Sequence, residues 1–215
     1  ATATAVVRED IQKQLSLRDP EVLVTGFDRR NLTWRVLRAK NDSEKDRLLL
    51  GLLRGQHGGR AFSLAEGAGS AIVYASTRKN VDALTSLLSG IGIGAVGYHA
   101  GLADGERKRI QDAFMAGEAR VVVATNAFGM GIDKPDVRLV VHYNMPGTLE
   151  AYYQEGGRAG RDSRDSDCVL LHAYPDRFTH EFFIEQTYPP RALVEALLTE
   201  LRSRADAEGA VRLPI

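Results

Sequence analysis

Short β-branched runs alternate with longer helical segments through most of this chain. The runs predict buried strands, because valine and isoleucine pack well on a pleated sheet. The segments between them carry helical apolar spacing over about ten residues or more. Such alternation requires right-handed βαβ crossovers and therefore a parallel sheet with helices on both faces. The predicted strands are Ala71–Ala75, Ile93–His99, Val121–Thr125, Val137–Asn144 and Cys168–Tyr174, and the helices are Lys79–Leu88, Asp104–Met115 and Leu149–Glu155.

The two ends of the chain carry further elements. Val7–Leu15 reads as a helix that stops before Asp19-Pro20, since the residue before a proline avoids the helical region. A strand and turn are predicted at Glu21–Phe27 and a second strand at Leu32–Ala39, and Asn41 offers N-cap chemistry for a helix over Glu44–Leu53. Beyond Pro189-Pro190, the strongly amphipathic stretch Arg191–Arg204 predicts one more helix.

Composition excludes several classes of protein. The 215 residues include 28 Lys and Arg and 28 Asp and Glu, so the formal net charge is zero at pH 7. This balance argues against gripping nucleic acid by bulk positive charge. Cys168 is the single cysteine, so neither a disulfide framework nor a cysteine-based zinc site is expected. No apolar run approaches the ~18 residues of a membrane span, and no signal peptide opens the sequence. We expect a soluble, cytoplasmic protein without membrane partners, in the bacterial cytoplasm or nucleoid.

The predicted sheet also places candidate functional loops. In open parallel sheets such loops leave the carboxyl ends of the strands. We therefore expect four segments at that edge: Ser76–Arg78, Tyr98–Leu102, Thr125–Pro135 and Gln154–Asp162. The phosphate loop G-x-x-x-x-G-K-[ST] does not occur in the sequence, and neither does a dinucleotide-binding glycine motif in its proper context. A chain of this kind that acts on a nucleotide supplies only half of the site.

The most specific stretch is QEGGRAGRD, residues Gln154–Asp162. Its arginines, Arg158 and Arg161, are three residues apart and would project from one side of a helical turn. A permanently charged planar guanidinium suits the charge that builds on a γ-phosphate during phosphoryl transfer. For an isolated R-x-x-R pair, a surface helix with salt bridges is the ordinary alternative.

Together with other segments, this stretch resembles the RecQ-type family of superfamily-two DNA helicases, specifically the second RecA-like motor lobe. The resemblance runs from residue 1 to about residue 185. It rests on FDRRNL at 27–32, YASTR at 74–78, YHAGL at 98–102, ATNAFGMGIDKPDVR at 124–138 and QEGGRAGRD at 154–162. It implies an α/β fold of RecA-like, P-loop type, with a parallel sheet flanked by helices and a short helical C-terminal extension.

The resemblance implies a nucleotide site shared between two lobes. The first lobe would carry the phosphate loop and the acidic motif that binds Mg²⁺, and the opening Ala1-Thr2-Ala3 looks like the tail of that lobe's last motif. In this lobe Arg161 would be the arginine finger, Arg158 its companion, and Gln154 the link between nucleotide and interface. The further nucleotide-binding positions would be Asp133, Gly131 and Gly157. Asp133 would face the ribose or hold the interface, although it also suits a plain turn before Lys134-Pro135.

The resemblance further implies a track for single-stranded DNA across the top of both lobes. Its contacts to the phosphate backbone would set register rather than read sequence. The implied positions are Thr77, Arg78, His99, Gly101, Thr125 and Asn126. Phe128 and Met130, within the same motif, are expected to be packing residues rather than base-stacking ones.

The resemblance also defines an activity for the whole protein. The full enzyme would hydrolyse ATP with Mg²⁺ and move 3′ to 5′ on single-stranded DNA and duplex junctions. This fragment alone, without the first lobe, would be inactive. Two alternatives remain: a lobe of an RNA helicase of the same superfamily, and a non-catalytic nucleic-acid-binding module.

The predicted organisation has three parts: an entrance at 1–30, the motor lobe at 31–185 and a helical extension at 186–215. The extension is either the start of a winged-helix module or a helix that packs between lobes. Family members usually continue into a zinc segment with four cysteines, but this chain has only Cys168, which we expect to be a buried core thiol. Zinc is therefore not expected within it. Gly156 replaces a usual Ser or Thr, and Arg30 stands where Pro is common.

Overall fold

A computed structural model of the chain describes residues 5–23, 29–57, 62–64, 69–129, 132–178, 181 and 190–205. Among these residues helices and strands alternate as the sequence predicts. The strands are β1 (Leu32–Ala39), β2 (Ser70–Tyr74), β3 (Ala95–Tyr98), β4 (Val121–Ala124), β5 (Val137–His142) and β6 (Ser166–Ala173). The helices are α1 (Ala5–Gln14), α2 (Asp42–Leu53), α3 (Arg78–Gly90), α4 (Asp104–Ala116), α5 (Leu149–Gly156) and α6 (Arg191–Arg204).

The six strands form one parallel sheet in the order β1-β6-β5-β2-β4-β3. The carboxyl ends of β5, β2, β4 and β3 are level, because Tyr74 pairs in register with both Ala124 and His142, and Tyr98 pairs with Ala124. The amino ends of β2 and β5 meet where Ser70 pairs with Val137. The α/β fold with a parallel sheet is confirmed.

Two apolar layers enclose the sheet because successive side chains of a strand point to opposite faces. Ala71 and Val73 belong to a core cluster with α2 and α3, whereas Ile72 and Tyr74 belong to a second cluster with α4. Every residue of β2, β4 and β5 is buried. This burial on both faces explains why β4, with the sequence VVVA, is apolar throughout rather than alternating.

Local capping chemistry fixes the start of α2 as predicted. The Asn41 side chain accepts a hydrogen bond from the Glu44 backbone N–H at 3.0 Å, and the Glu44 carboxylate accepts one from the Lys40 N–H at 2.8 Å. The strand prediction at Glu21–Phe27 is wrong for Glu21–Leu23, which lie exposed and outside the sheet. The remainder of that range lies outside the described residues.

The chain divides into two compact units, residues 1–174 and 175–215. The first contains the whole sheet. In the second, α6 follows Pro190 and carries two ion pairs between successive turns, Arg191–Glu195 and Glu200–Arg204, each at 2.6 Å. Among the described residues, the helices are all too short or too polar to cross a bilayer. The domain boundaries at 30 and 185 remain predictions.

Candidate nucleotide and nucleic-acid sites

The loop after β2 presents a hydroxyl and a guanidinium at the carboxyl edge of the sheet. Thr77 is the N-cap of α3, and its Oγ1 accepts a hydrogen bond from the Asn80 N–H at 3.1 Å. Capping uses the oxygen as an acceptor, so the hydroxyl hydrogen remains available to a phosphate. Arg78, the first residue of α3, lies beside Gly101, since a Cβ at Gly101 would be 3.0 Å from Arg78 Nη1.

His99 shapes the loop after β3. Its Nδ1 accepts the Gly101 N–H at 3.1 Å, and its Nε2 lies 3.1 Å from Asp82 Oδ1. A ring nitrogen that accepts carries no proton, so the proton lies on Nε2 and is donated to Asp82. The His99 side chain is only 10% exposed. Both ring nitrogens are thus engaged within the chain, and a DNA contact by His99 or Gly101 stays a prediction.

The loop after β4 completes this edge. Thr125 is held by its backbone, since its N–H donates to Tyr98 O at 3.1 Å and its carbonyl accepts from the Phe128 N–H at 3.0 Å. Asn126 is exposed at the tip of this turn. Phe128 is 1% exposed and packs edge-on against Tyr98 and Phe114, so its predicted packing role is confirmed. The loops with the six predicted DNA positions therefore follow three adjacent strands.

The two arginines of QEGGRAGRD do not share a helical turn. Helix α5 ends at Gly156, and residues 157–162 are turns. Within this stretch only Gly160 has a left-handed backbone, with φ of +57°, a conformation that favours glycine. Arg158 Nη1 instead donates to Gly129 O, and Arg161 Nη1 pairs with Asp133 Oδ1 at 2.6 Å. The spacing argument was wrong, yet both arginines converge on the segment that joins β4 to β5.

The candidate nucleotide-binding residues differ in how far they are exposed to solvent. The side chains of Arg161 and Asp133 are 37% and 80% exposed, so their ion pair faces solvent and can open. Gln154 is also exposed, whereas Gly157 is half-buried. Gly131 and Met130 lie outside the described residues, so the predictions for them are untested.

The arginines lie at a different edge from the one predicted. The turn that carries them leads into the amino end of β6, and the Gly160 N–H donates to the first carbonyl of β5, that of Val137, at 2.9 Å. Asp133 likewise precedes the amino end of β5. Only three of the four candidate segments begin at the carboxyl edge. The Thr125–Pro135 segment starts at one edge and ends at the other, so it connects the two groups of candidate residues.

Tyr74 links these loops from inside the sheet, a role the sequence analysis did not assign. Its hydroxyl donates to Phe128 O at 3.1 Å, and its ring stacks on His142. Burial raises the pKa of Tyr74, and the nearby Arg158 guanidinium only partly opposes this rise. The phenol therefore stays protonated and remains a donor. His142 is fully buried and bonded to Glu155 of α5 at 3.0 Å, which holds that helix against β5.

Arg138 fixes the far end of the arginine-bearing turn. Its guanidinium donates to Asp162 Oδ2 at 2.5 Å, to Pro135 O at 2.9 Å and to Ser166 Oγ at 2.9 Å. The hydrogen bond from Arg138 holds the pKa of Asp162 below its ordinary value. Arg138 is thereby the third arginine of the site, but its contacts are with side chains and a backbone carbonyl of the chain itself.

Trp34 of β1 explains why glycine occupies position 156. A Cβ there would lie 2.6 Å from Trp34 Cζ3 and 3.4 Å from Cys168 Sγ. The indole stacks on Tyr153 at 5.7 Å between centroids and meets Tyr152 edge-on at 5.0 Å. The Trp34 indole thus occupies the space that a side chain at position 156 would need.

No metal-binding cluster of three or more His, Cys, Asp or Glu is found in the part of the chain that the structure describes. Cys168 is fully buried, and its thiol lies 3.3 Å from Gly156 O. Burial raises the pKa of Cys168 to about 12. The prediction of a buried core thiol is confirmed.

A six-stranded parallel sheet with arginines converging on its β4–β5 segment is the architecture of a RecA-like helicase lobe. Residues 45–163, more than half of the chain, match the helicase conserved C-terminal domain. The chain therefore belongs to the helicase conserved C-terminal domain family.

Relatives confirm the predicted resemblance to RecQ-type helicases. The chain is 43% identical over 187 residues to the ATP-dependent DNA helicase RecQ of Bacillus subtilis. The aligned region covers 87% of this chain and 29% of that protein. It is 44% identical over 176 residues to the mouse bifunctional 3′-5′ exonuclease/ATP-dependent helicase WRN, covering 82% of the chain and 12% of that protein. The chain thus spans less than a third of either relative.

A solved structure confirms the fold. Dbp5 of S. cerevisiae, bound to RNA and ADP BeF3, superposes with a TM-score of 0.67 over 88% of this chain and 48% of its own. Its sequence identity is 24%, so this likeness concerns the fold alone.

Proposed function

We propose that this chain is the second motor lobe of an ATP-dependent DNA helicase that moves 3′ to 5′ on single-stranded DNA. The observation that carries the proposal is the convergence of Arg158 and Arg161 on the segment that begins at Thr125 and Asn126. That segment lies between the candidate nucleotide groups and the candidate DNA groups. A change at one end therefore reaches the other through a short covalent path.

Arg161 is the proposed arginine finger. Its guanidinium is more than a third exposed and pairs with the exposed carboxylate of Asp133. ATP with Mg²⁺, bound mainly by the first lobe, would supply a γ-phosphate whose charge competes for this guanidinium. Arg161 would then leave Asp133 and stabilise the charge of the transferring phosphoryl group. Asp133, once released, would face the ribose, and exposed Gln154 would lie at the interface of the lobes.

Arg158 has a different proposed part. Its bond to Gly129 O and its closeness to Tyr74 anchor it to the β4–β5 segment. It would support the phosphate while transmitting the movement of Arg161 to that segment. Site completion on lobe closure would couple the nucleotide state to lobe separation.

The proposed DNA partner would lie along the carboxyl edge. The Thr77 hydroxyl and the Arg78 guanidinium would hold one phosphate, and the loops at Gly101 and Asn126 would offer further contacts. Contacts of this kind are independent of base sequence and suit a motor that must move along DNA. Few placed contacts are needed, which agrees with a net charge of zero.

The test is DNA-stimulated ATP hydrolysis by the full-length protein that contains this chain, with Arg161→Ala as the variant. Loss of an arginine finger costs ~10³–10⁵ in rate in related phosphoryl-transfer systems. Arg164→Ala is the matched control, because this arginine follows three residues later and is 82% exposed, with a long 3.8 Å contact to Asp162. Near-normal turnover by Arg161→Ala would refute the finger role.

Two further measurements separate the alternatives. Stimulation by RNA rather than DNA would identify an RNA helicase lobe, whereas the DNA helicases among the relatives favour DNA. Absence of ATP hydrolysis by the unaltered full-length protein would instead favour the alternative of a non-catalytic nucleic-acid-binding module. We expect the 215-residue chain alone to hydrolyse nothing.

A further inference from the structure

Arg29 and Asn31 lie directly before β1 and contact the turn that carries Arg158 and Arg161. Arg29 Nη2 donates to Gly160 O at 2.7 Å and to Ala159 O at 3.1 Å, and Nη1 reaches Gly157 O at 3.5 Å. Asn31 Nδ2 donates to the same Gly160 carbonyl at 2.8 Å. These partners are about 130 residues apart in the chain, so sequence spacing gives no sign of the contact.

Arg29 and Asn31 together hold this turn through several hydrogen bonds to its backbone. A guanidinium presents five N–H donors in a rigid fork, and here the fork gathers three carbonyls of one short turn. The Asn31 amide also donates to Arg164 O at 2.9 Å, which fixes the turn on both sides of Arg161. Arg29 Nε reaches Asn31 Oδ1 at 3.4 Å, so the two side chains brace each other.

The backbone at Gly160 lies too close to Asn31 and its other neighbours to leave room for a side chain. Gly160 has φ of +57°, a left-handed conformation that favours glycine. A Cβ there would meet the Asn31 amide and would lie 2.8 Å from both Arg164 O and Ser166 Oγ. Its neighbour in the chain is Arg161, so the conformation supported here sets where that side chain leaves the backbone.

From these contacts we infer that Arg29 and Asn31 are positioning residues for Arg161, acting through the carbonyls of residues 157–160. Their role requires no contact with the nucleotide, because the hydrogen bonds that we invoke all go to backbone carbonyls. The inference rests on the proposed function of Arg161 and adds two residues to which nothing in the motif itself points. Because Arg29 lies where the chain enters the lobe, the support also ties that entry to the arginine-bearing turn.

The experiment measures kcat and KM for ATP at saturating DNA in the full-length protein. Arg29→Gln removes the fork, and Asn31→Asp removes two N–H donors with little change in volume. Misplacing a catalytic group by about 1 Å can cost ~10²-fold, so we expect kcat to fall by ~10–100-fold with KM nearly unchanged. Arg29→Lys, which keeps the charge but not the fork, should give an intermediate kcat.

A double variant distinguishes positioning from a general structural role. Groups that act as one unit give strongly non-additive losses, so Arg29→Gln should add little to the loss already caused by Arg161→Ala. The matched control is Arg30→Gln, which removes the same charge from the next, exposed residue and should leave kcat near normal. Circular dichroism and urea unfolding check that each variant is folded.

Three outcomes would overturn the inference. They are a normal kcat in folded Arg29→Gln and Asn31→Asp, a fully multiplicative loss in the double variant, and unfolding of both single variants. A large loss of kcat in Arg161→Ala together with a normal kcat in Arg29→Gln would refute only the positioning role of Arg29. A normal Arg161→Ala would instead refute the proposed function.

Discussion

Gly156→Ala tests whether the indole of Trp34 truly excludes a side chain at the end of α5. The new Cβ would lie 2.6 Å from Trp34 Cζ3, about 1 Å inside the usual 3.5–4.0 Å carbon contact. The ring cannot withdraw freely, because it stacks on Tyr153 and meets Tyr152 edge-on. Each aromatic contact contributes about 0.5–1.5 kcal/mol, and overpacking a core costs about 1–3 kcal/mol.

Overpacking together with the loss of one aromatic contact, less about 1 kcal/mol for better helix propensity, gives an expected destabilisation of about 0.5–3.5 kcal/mol for Gly156→Ala. Urea unfolding measures it as a lower midpoint. Gly90→Ala is the matched control, because Gly90 ends α3 just as Gly156 ends α5 and nothing lies within 4 Å of its added Cβ. That control should be neutral or stabilising.

A second variant identifies the partner. Trp34→Phe removes part of the ring and should itself destabilise, but it should reduce the cost of Gly156→Ala in the same chain. Residues in contact commonly show such coupling, of about 0.5–3 kcal/mol. A Gly156→Ala protein as stable as the unaltered one, or a cost that persists unchanged beside Trp34→Phe, would refute the packing argument.

Three more predictions follow from buried and capping groups. Cys168, whose pKa burial raises to about 12, should resist a thiol reagent at pH 8 in the folded protein and react fully in urea; rapid labelling of the folded state would contradict its burial. The Arg138 hydrogen bond lowers the pKa of Asp162, so this contribution to stability is present above about pH 4 and is lost as pH falls through the folded pKa. Asp162→Asn should thus lower the urea midpoint at pH 7 and progressively less toward pH 3, and an equal deficit at both would argue against the ion pair. Asn41→Ala should cost about 1 kcal/mol through loss of the α2 cap, with Asn41→Asp, which keeps an acceptor, near neutral in the same assay.

The regular elements were readable from sequence because their signals are local. Leu32–Ala39 and Arg191–Arg204 have the predicted bounds, since alternation marks the first and a proline and amphipathic spacing mark the second. The R-x-x-R spacing was misread as a helical turn, because spacing alone does not show that both arginines lie beyond the end of α5 at Gly156. The end of the helix itself was predicted to within one residue, since Leu149–Glu155 was expected and α5 spans Leu149–Gly156.

The contacts that organise the site could not be predicted. Arg29, Arg138 and Tyr74 each donate to backbone carbonyls, and a carbonyl is present at every residue, so no residue type marks the recipient. The FDRRNL stretch was recognised as part of the resemblance, yet its role depends on partners about 130 residues away. The candidate groups were found from sequence, whereas their supports required the fold.

Trp34 also provides a natural optical reporter, since it is the single tryptophan of the chain. Its indole stacks on the helix that leads directly into the arginine-bearing turn. Emission excited at the red edge of tryptophan absorption therefore originates from one place in this lobe. Its wavelength and quenching would follow the packing of α5 in real time, without a dye.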